Sequence, residues 1–113
     1  LVMRVEVGGL RAVIAGDVEE AGQTAAVATV TDLRADVLLV PHHGSGHQSP
    51  AFLQAVGERV ALFSVGLHND YGHPAARTLA AVLATGARIF RTDQDGSAAV
   101  RLDSGEIVVT TQR

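Results

Sequence analysis

Two adjacent histidines follow a short apolar run in the middle of this 113-residue chain. The run from Val37 to Val40 leads through Pro41 into His42 and His43. So short a run predicts a strand buried on both faces, which places the histidines just past a strand end. Ligands collect beyond the carboxyl ends of strands in open α/β sheets, and a neutral imidazole there is a good ligand for a divalent metal. An isolated His-His pair is equally consistent with a helix cap beside a solvated histidine.

Two further strand ends carry polar groups. Asp17 follows the predicted strand 10–15, and His68 and His73 lie in the loop after the predicted strand 60–65. Taken alone, Asp17 is more typical of a turn or a helix N-cap. If the strands are parallel neighbours, as strand-helix-strand connections favour, the three sets of side chains gather at one edge of the sheet. An aspartate with several histidines is a ligand set for Zn²⁺, Mn²⁺ or Fe, in which the carboxylate can bridge two ions.

The residues next to the histidine pair suit a phosphate ester. Gly44 would let the backbone approach a phosphate, and the hydroxyl of Ser45 could donate a hydrogen bond to it. Two metal ions about 4 Å apart would supply hydroxide at neutral pH and stabilise in-line displacement at phosphorus. The spacing therefore predicts a metal-dependent site that acts on phosphate esters.

The composition excludes several classes of protein. A hydrophobic content of 47% and a mean hydropathy of +0.22 indicate a buried core rather than a disordered chain. The net charge is -3 and the nine basic residues are scattered, so there is no basic patch of the kind that binds nucleic acid non-specifically. The absence of cysteine excludes disulfides and thiolate zinc sites. No stretch approaches the roughly 20 apolar residues of a membrane helix, and the start does not resemble a signal peptide.

The pattern of strands and helices predicts a single α/β domain over residues 1–113. Gly8 and Gly9 between two β-branched runs favour a tight hairpin. Ser49 and Pro50 form a typical helix start. The predicted strands span 2–7, 10–15, 37–40, 60–65, 88–91, 97–102 and 106–111, and the predicted helices span 19–33, 50–56 and the segment that Pro74 opens and Gly86 closes.

Two local patterns make more specific predictions. Ala26, Val30 and Leu33 fall on one face of the first predicted helix, which is therefore expected to be its buried face. Asp93, Asp95 and Asp103 resemble an acidic cluster, but aspartate close to glycine is more typical of turns. We therefore assign these three aspartates to turns.

Five motifs resemble, in order, the metallo-β-lactamase-like domain at the C-terminal end of the ComEC/Rec2 family, the DNA-uptake channel proteins of natural competence. The resemblance covers nearly the whole chain. It implies an αββα metallohydrolase sandwich, of which these residues form the C-terminal half as a mixed sheet with helices. The motifs are Ala-Gly-Asp-Val-Glu at 15–19, Asp-Val-Leu-Leu-Val-Pro-His-His-Gly-Ser at 36–45, Ser-Val-Gly at 64–66, Asn-Asp-Tyr-Gly-His-Pro at 69–74 and Arg-Thr-Asp-Gln-Asp-Gly at 91–96.

The resemblance implies a role for each candidate residue. Asp17 matches the family's metal-bridging aspartate, and the His-His-Gly-Ser stretch matches its late metal ligand, for which His43 is favoured over His42. His73 matches the Gly-His-Pro histidine, a substrate or general-acid group, and Ser45 contacts the phosphate. The implied cofactors are divalent ions, Zn or Mn, with two ions in a complete domain. The identity of the metal and the choice between His42 and His43 stay open.

The chain departs from the family in lacking its first metal motif, His-x-His-x-Asp-His or a variant, which should lie upstream of a strand like 2–7. The start resembles the middle of a strand, which indicates a chain cut from something longer. We therefore expect the isolated chain to bind metal weakly or not at all and to be inactive. It should also self-associate through the bare face of the predicted hairpin at 2–15.

The implied function is that of a nuclease or phosphodiesterase acting on the DNA strand that is not transported. Its implied partners are DNA, the remaining half of the domain and a membrane channel domain of the same protein. Its implied location is a soluble domain on the outer side of a bacterial inner membrane. The alternative is a non-catalytic module that keeps the fold and serves only to bind DNA or to gate the channel. Intact ligands in the upstream segment would favour the enzyme.

Overall fold

The computed structural model describes residues 1–113 and contains two β-sheets and four α-helices. None of these helices is long and apolar enough to cross a bilayer. The strands are β1 (Met3–Val7), β2 (Leu10–Ile14), β3 (Val37–Leu39), β4 (Val60–Phe63), β5 (Arg88–Arg91), β6 (Ser97–Asp103) and β7 (Glu106–Gln112), and the helices are α1 (Glu20–Thr29), α2 (Pro50–Val56), α3 (Ala76–Ala84) and the single turn α4 (Thr92–Asp95). A 3₁₀ turn spans Pro41–Gly44.

The larger sheet is mixed, with five strands in the order β1-β2-β3-β4-β5. β1 is antiparallel to β2, whereas β2, β3, β4 and β5 are parallel neighbours. The expected parallel arrangement of the central strands is therefore confirmed. It places the carboxyl ends of β2, β3 and β4 at one edge of the sheet, next to one another. β6 and β7 form a separate antiparallel hairpin.

One face of the large sheet forms the core. Val13, Leu38 and Ala61 are aligned across β2, β3 and β4, and each is fully buried. Phe52 of α2 and Val82 of α3 are also fully buried, in the same apolar cluster. The valine, leucine and phenylalanine side chains each contribute about 1.5–3 kcal/mol when they are removed from water, so this face supplies much of the folding energy.

The opposite face of the sheet is only half covered. Ile14, Leu39, Leu62 and Phe90 form an apolar row across β2 to β5, and all four are half-buried. A cavity of about 220 Å³ is lined by part of this row together with Ala98 of β6. The row is an incompletely covered apolar surface.

Helix α1 is shorter than the predicted helix over 19–33. It ends at Thr29, and the next residue, Val30, has extended backbone with φ -94° and ψ 125°. The hydroxyl of Thr29 donates to the Ala25 carbonyl at 2.8 Å, and β-branched residues lose side-chain freedom in a helix. The expected burial of Val30 is wrong, since it is 44% exposed, whereas Leu33 is buried from the following loop.

The predicted signals at helix α2 and at the hairpin turns are confirmed. Ser49 accepts a hydrogen bond from the Phe52 N–H at 3.2 Å, and Gly57 ends the helix in the left-handed conformation. Gly8 and Gly9 both have positive φ, of 56° and 86°, as the tight turn between β1 and β2 requires.

Asp93 and Asp95 form hydrogen bonds to a nearby residue of the chain, in agreement with their assignment to a turn. The Asp93 carboxylate pairs with both ends of the Arg91 guanidinium, at 3.0 and 2.7 Å, and this hydrogen bonding holds the pKa of Asp93 below its ordinary value. Asp95 accepts the Arg91 backbone N–H at 2.8 Å. The turn is the one-turn helix α4.

Glu58 is a buried carboxyl group without a hydrogen-bond partner. The residue is 2% exposed, and neither carboxyl oxygen is hydrogen bonded. Burial raises the pKa of Glu58 above its ordinary value of 4.5. Because the pKa of Glu58 is higher in the folded state than its ordinary value of 4.5, protonation of Glu58 stabilises the fold, fully so below pH 4.5. This stabilisation is lost as the pH rises through the folded-state pKa.

We expect Glu58→Leu to raise the free energy of unfolding by about 1–3 kcal/mol at neutral pH, because it removes an unsatisfied buried polar group. The gain should shrink in acid, where the carboxyl is protonated in both states. Chemical denaturation at neutral pH and in acid measures both effects. The exposed Glu106→Leu is the control and should change stability by less than about 0.5 kcal/mol. A gain that is absent at neutral pH, or equal at both pH values, would contradict the prediction.

Candidate functional site

The turn after β3 holds two consecutive histidines in a strained backbone. His42 has φ 50° and ψ 45°, and His43 has φ 55° and ψ 23°, both in the left-handed region that non-glycine residues rarely adopt. Such residues cost of order 1–3 kcal/mol each and persist only where their surroundings impose them. Here the His42 N–H donates to the Gly16 carbonyl at 2.8 Å, which ties the turn to the end of β2. Backbone strain of this kind clusters at functional sites.

Asp17 and His43 meet at the carboxyl edge of the sheet. Asp17 Oδ1 lies 3.3 Å from His43 Nε2, and the side chains are 75% and 50% exposed. His43 Nδ1 lies 2.7 Å from the Ser64 carbonyl oxygen, just beyond β4. A carbonyl oxygen can only accept, so Nδ1 carries the proton of this hydrogen bond. In a neutral imidazole the Nε2 lone pair then faces the carboxylate.

A cation placed between these two acceptor atoms, which lie 3.3 Å apart, would be attracted to both. Ligand atoms of a tetrahedral zinc ion with bonds of about 2.0–2.1 Å lie about 3.3–3.4 Å apart. A metal-binding histidine also usually donates its other ring N–H to a carbonyl or carboxylate, as His43 does to Ser64. The Asp17–His43 pair therefore fits a divalent metal.

His42 and His73 complete the cluster. Their ring centroids are 5.8 Å apart, and the rings of His42 and His43 are 6.4 Å apart. Desolvation is the main cause that holds the pKa of His73 below its ordinary value, and the neighbouring His42 and His43 lower this pKa further. His73 is thus a neutral imidazole at neutral pH. The structure brings Asp17, His42, His43 and His73 together at one edge of the sheet.

Asn69 positions His73, a role that the sequence interpretation missed. Its amide nitrogen donates to the His73 carbonyl at 2.9 Å, and its oxygen accepts the His73 N–H at 3.1 Å. The signal was available, because asparagine in a turn-forming Asn-Asp-Tyr-Gly sequence often bonds to nearby backbone. The pair of bonds fixes the loop that carries His73.

Two other predicted polar residues stand apart from the cluster. Ser45 is 3% exposed, and its hydroxyl accepts the His47 N–H at 3.4 Å. Its carbonyl accepts the Thr78 hydroxyl at 2.6 Å, so Ser45 belongs to the wall between the turn and α3. His68 is exposed and makes no ring contact with the other histidines.

Gly44 is a packing position rather than an approach route for phosphate. The residue is buried, and a Cβ atom there would lie 2.6 Å from the Phe63 ring and 2.8 Å from Pro74. Its carbonyl accepts the Ala75 N–H at 2.8 Å. The expectation that Gly44 lets a phosphate reach the backbone is therefore wrong, because neighbouring side chains already fill the space.

The chain supplies only part of a metal-binding set. No three His, Asp or Glu side chains form a group arranged to hold a metal ion. The donors that fit are Asp17 and His43, with His42 as the nearest further imidazole. A metal held here would need ligands in addition to these.

Comparisons with known proteins find relatives in bacterial competence. No protein-family model matches the chain, and no solved structure matches it. The chain is 36% identical over 98 residues to ComE operon protein 3 of Bacillus subtilis (strain 168), covering 86% of the chain and 13% of that protein. It is 34% identical over 108 residues to Competence protein ComA of Neisseria gonorrhoeae, covering 94% of the chain and 16% of that protein.

The two alignments agree in what they cover. Each takes in most of this chain and less than a fifth of the relative, so the chain corresponds to one segment of much longer proteins. These similarities support a competence-related family for this chain.

Proposed function

We propose that this chain is the C-terminal half of a metallo-β-lactamase-like hydrolase domain that cleaves phosphodiester bonds of DNA during uptake. The observation that carries the proposal is the approach of Asp17 Oδ1 to His43 Nε2 at 3.3 Å, with His42 and His73 beside them. The names of both relatives support the DNA-uptake part, since competence is the uptake of DNA. The expected substrate is the strand that is not transported.

Asp17 and His43 are the residues that would hold a divalent ion, Zn or Mn. The Ser64 carbonyl keeps the His43 proton on Nδ1, which leaves Nε2 free as a ligand atom. With its side chain 75% exposed, Asp17 would also be accessible to a second ion. The ions would supply Lewis acidity toward the phosphodiester and lower the pKa of an attacking water.

His73 would act on the substrate rather than on the metal. Its lowered pKa keeps the imidazole neutral at neutral pH, so it can accept a proton or donate one hydrogen bond to a phosphate oxygen. Asn69 holds the backbone of His73 at both its N–H and its carbonyl, which fixes the position of the ring. Since Ser45 is buried, its part is to support the turn.

The rest of the domain would complete the site and cover the open face of the sheet. The apolar row of Ile14, Leu39, Leu62 and Phe90 is a suitable surface for another layer. The missing layer would also bring the remaining metal ligands. The isolated chain is then expected to bind metal weakly, to lack cleavage activity and to self-associate. The complete domain would stand on the outer side of a bacterial inner membrane, beside a channel domain of the same protein.

We expect His73→Ala in the complete domain to lower the rate of DNA cleavage by about 10²–10⁴-fold, with the bound metal retained. The measurement pairs single-turnover cleavage of a labelled oligonucleotide with the metal content of the purified protein. His68→Ala is the matched control, because His68 lies in the same loop without contacting the cluster. It should leave both quantities unchanged.

Other outcomes would assign the residues differently. Loss of metal from the His73→Ala variant would make His73 a ligand. Metal-dependent cleavage that is absent from the unmodified complete domain would overturn the proposed function and favour a non-catalytic module that binds DNA or gates the channel.

A further inference from the structure

The side-chain amide of Gln48 bridges the two ends of the turn that carries His42 and His43. Its nitrogen donates to the Pro41 carbonyl at 2.9 Å and to the Ser45 carbonyl at 3.1 Å. The first carbonyl lies directly before the histidine pair, and the second lies two residues after it. Since a primary amide has two N–H groups, both are used to hold this turn closed.

Gln23 of α1 connects Gln48 to the segment that carries Asp17. Gln23 is fully buried, and its amide nitrogen donates to the Gln48 side-chain oxygen at 3.0 Å and to the Val18 carbonyl at 3.1 Å. Its amide oxygen accepts the Ser49 N–H at 2.9 Å. Because Val18 follows Asp17 directly, the two amides join the aspartate segment to both ends of the histidine turn.

The hydrogen-bond partners fix the orientation of both amides. A carbonyl oxygen can only accept, so the Gln48 atom that faces two carbonyls is the nitrogen, and its oxygen faces Gln23. Gln23 likewise directs its nitrogen to the Val18 carbonyl and its oxygen to the Ser49 N–H. Each position therefore uses a side chain that both donates and accepts.

Asp17 is held from the residues on either side of it. On one side the Gly16 carbonyl accepts the His42 N–H at 2.8 Å, and on the other the Val18 carbonyl accepts from Gln23. The exposed Asp17 side chain itself is in contact only with His43, at 3.3 Å. Its position relative to the histidine turn must therefore come from these two backbone attachments.

We propose that Gln23 and Gln48 are positioning residues that set the separation of Asp17 and His43. The left-handed backbone of the histidine turn is costly, so it needs attachments that keep its ends in place. Gln48 supplies them, and Gln23 fixes Gln48 to the aspartate segment. The inference rests on the proposed function and deepens it, because the separation of the two donors governs how well they hold a divalent metal.

The test measures the Kd of Zn²⁺ for the complete domain by competition with a chelator. We expect Gln48→Met to weaken binding by about 10- to 100-fold, as the loss of residues that orient metal ligands typically does. Methionine has about the length of glutamine but no N–H to donate. The matched control is Gln54→Met, at an exposed position of α2, which should leave the Kd unchanged.

Gln23→Met tests whether the two amides act as one link. Either substitution breaks the link, so the double variant should bind Zn²⁺ no more weakly than the weaker of the two single variants. A weakening equal to the product of the two single effects would show that the amides act separately, and would overturn the link. If the buried Gln23→Met variant does not fold, the result for Gln48→Met decides the inference.

A contact measured without metal separates this positioning role from a contribution to stability alone. In the metal-free complete domain, NMR should detect a nuclear Overhauser effect between the Asp17 β-protons and the His43 ring, whose nearest polar atoms are 3.3 Å apart. Gln48→Met should weaken this effect at temperatures where the variant is fully folded, and Gln54→Met should not.

A Gln48→Met variant with a lower unfolding temperature but an unchanged Kd for Zn²⁺ would overturn the inference, because the amides would then support the fold alone. The proposed function would be untouched by that result. If the unmodified complete domain binds no metal, the proposed function fails instead, and the contact between Asp17 and His43 measured by NMR then decides whether the amides set their separation.

Discussion

Asp17→Ala is expected to abolish metal-dependent DNA cleavage in the complete domain while the fold stays intact. The carboxylate lies 3.3 Å from His43 Nε2 and is the only acidic group in contact with that imidazole. Alanine offers no ligand atom in its place. Loss of charge stabilisation worth several kcal/mol corresponds to a fall in rate of about a thousandfold or more. The Asp17 side chain is 75% exposed, so its removal should change stability by less than about 0.5 kcal/mol.

Cleavage rate, metal content and unfolding temperature of the same samples check this prediction. Asp70→Ala is a suitable control, because Asp70 is exposed in the neighbouring loop and makes no ion pair. It should retain cleavage and metal. An Asp17→Ala variant that cleaves at the unmodified rate with metal supplied would exclude the role assigned to this carboxylate.

Gly44→Ala is expected to be the most destabilising methyl-sized change at the site. Its Cβ atom would lie 2.6 and 2.7 Å from the Phe63 ring and 2.8 Å from Pro74, and the residue has φ 80°. Overpacking costs typically 1–3 kcal/mol, and a left-handed backbone costs an L-residue about 1–2 kcal/mol. Together these amount to about 3 kcal/mol, a large share of the roughly 5–15 kcal/mol by which domains are stable. A loss of that size lowers the unfolding temperature by roughly 10–20 °C.

Two other glycines separate the packing cost from the backbone cost. Gly72 also has positive φ, of 72°, but nothing lies within 4 Å of the Cβ position, so Gly72→Ala measures the backbone cost alone. Gly66 has neither feature, and Gly66→Ala should be neutral. Thermal unfolding of the three variants should rank Gly44 lowest, then Gly72, then Gly66. A Gly44→Ala variant no less stable than Gly72→Ala would show that the turn has room for a side chain.

The sequence was most informative where local chemistry and topology agree. Short apolar runs such as Val37–Leu39 favour strands in the interior of a sheet, and Ser49 before Pro50 offers the backbone a typical helix cap. The meeting of Asp17 and His43 followed from parallel neighbouring strands, which bring their carboxyl ends together.

What the sequence could not indicate depends on packing between distant segments. Nothing local shows that Ser45 is buried, because that burial comes from α3 closing over the turn through Thr78. Nor does the His-His pair reveal its left-handed backbone, since the hydrogen bond from the His42 N–H to the Gly16 carbonyl comes from the turn that follows β2. Helix α1 ends early at Thr29 for a more local reason, because threonine and valine lose side-chain freedom in a helix.

The hydrogen bond from His43 Nδ1 to the Ser64 carbonyl also bears on how the site tolerates mutation. The acceptor is a main-chain atom, so every residue type at position 64 presents the same oxygen. The Ser64 side chain is exposed and can be replaced. The position of the proton on the His43 ring depends instead on β3 and β4 being neighbouring strands. A histidine oriented by a side-chain carboxylate would lose its fixed tautomer if that one residue were substituted. In this protein the tautomer of His43 depends on the path of the backbone, so a point mutation can change it only by disrupting the sheet.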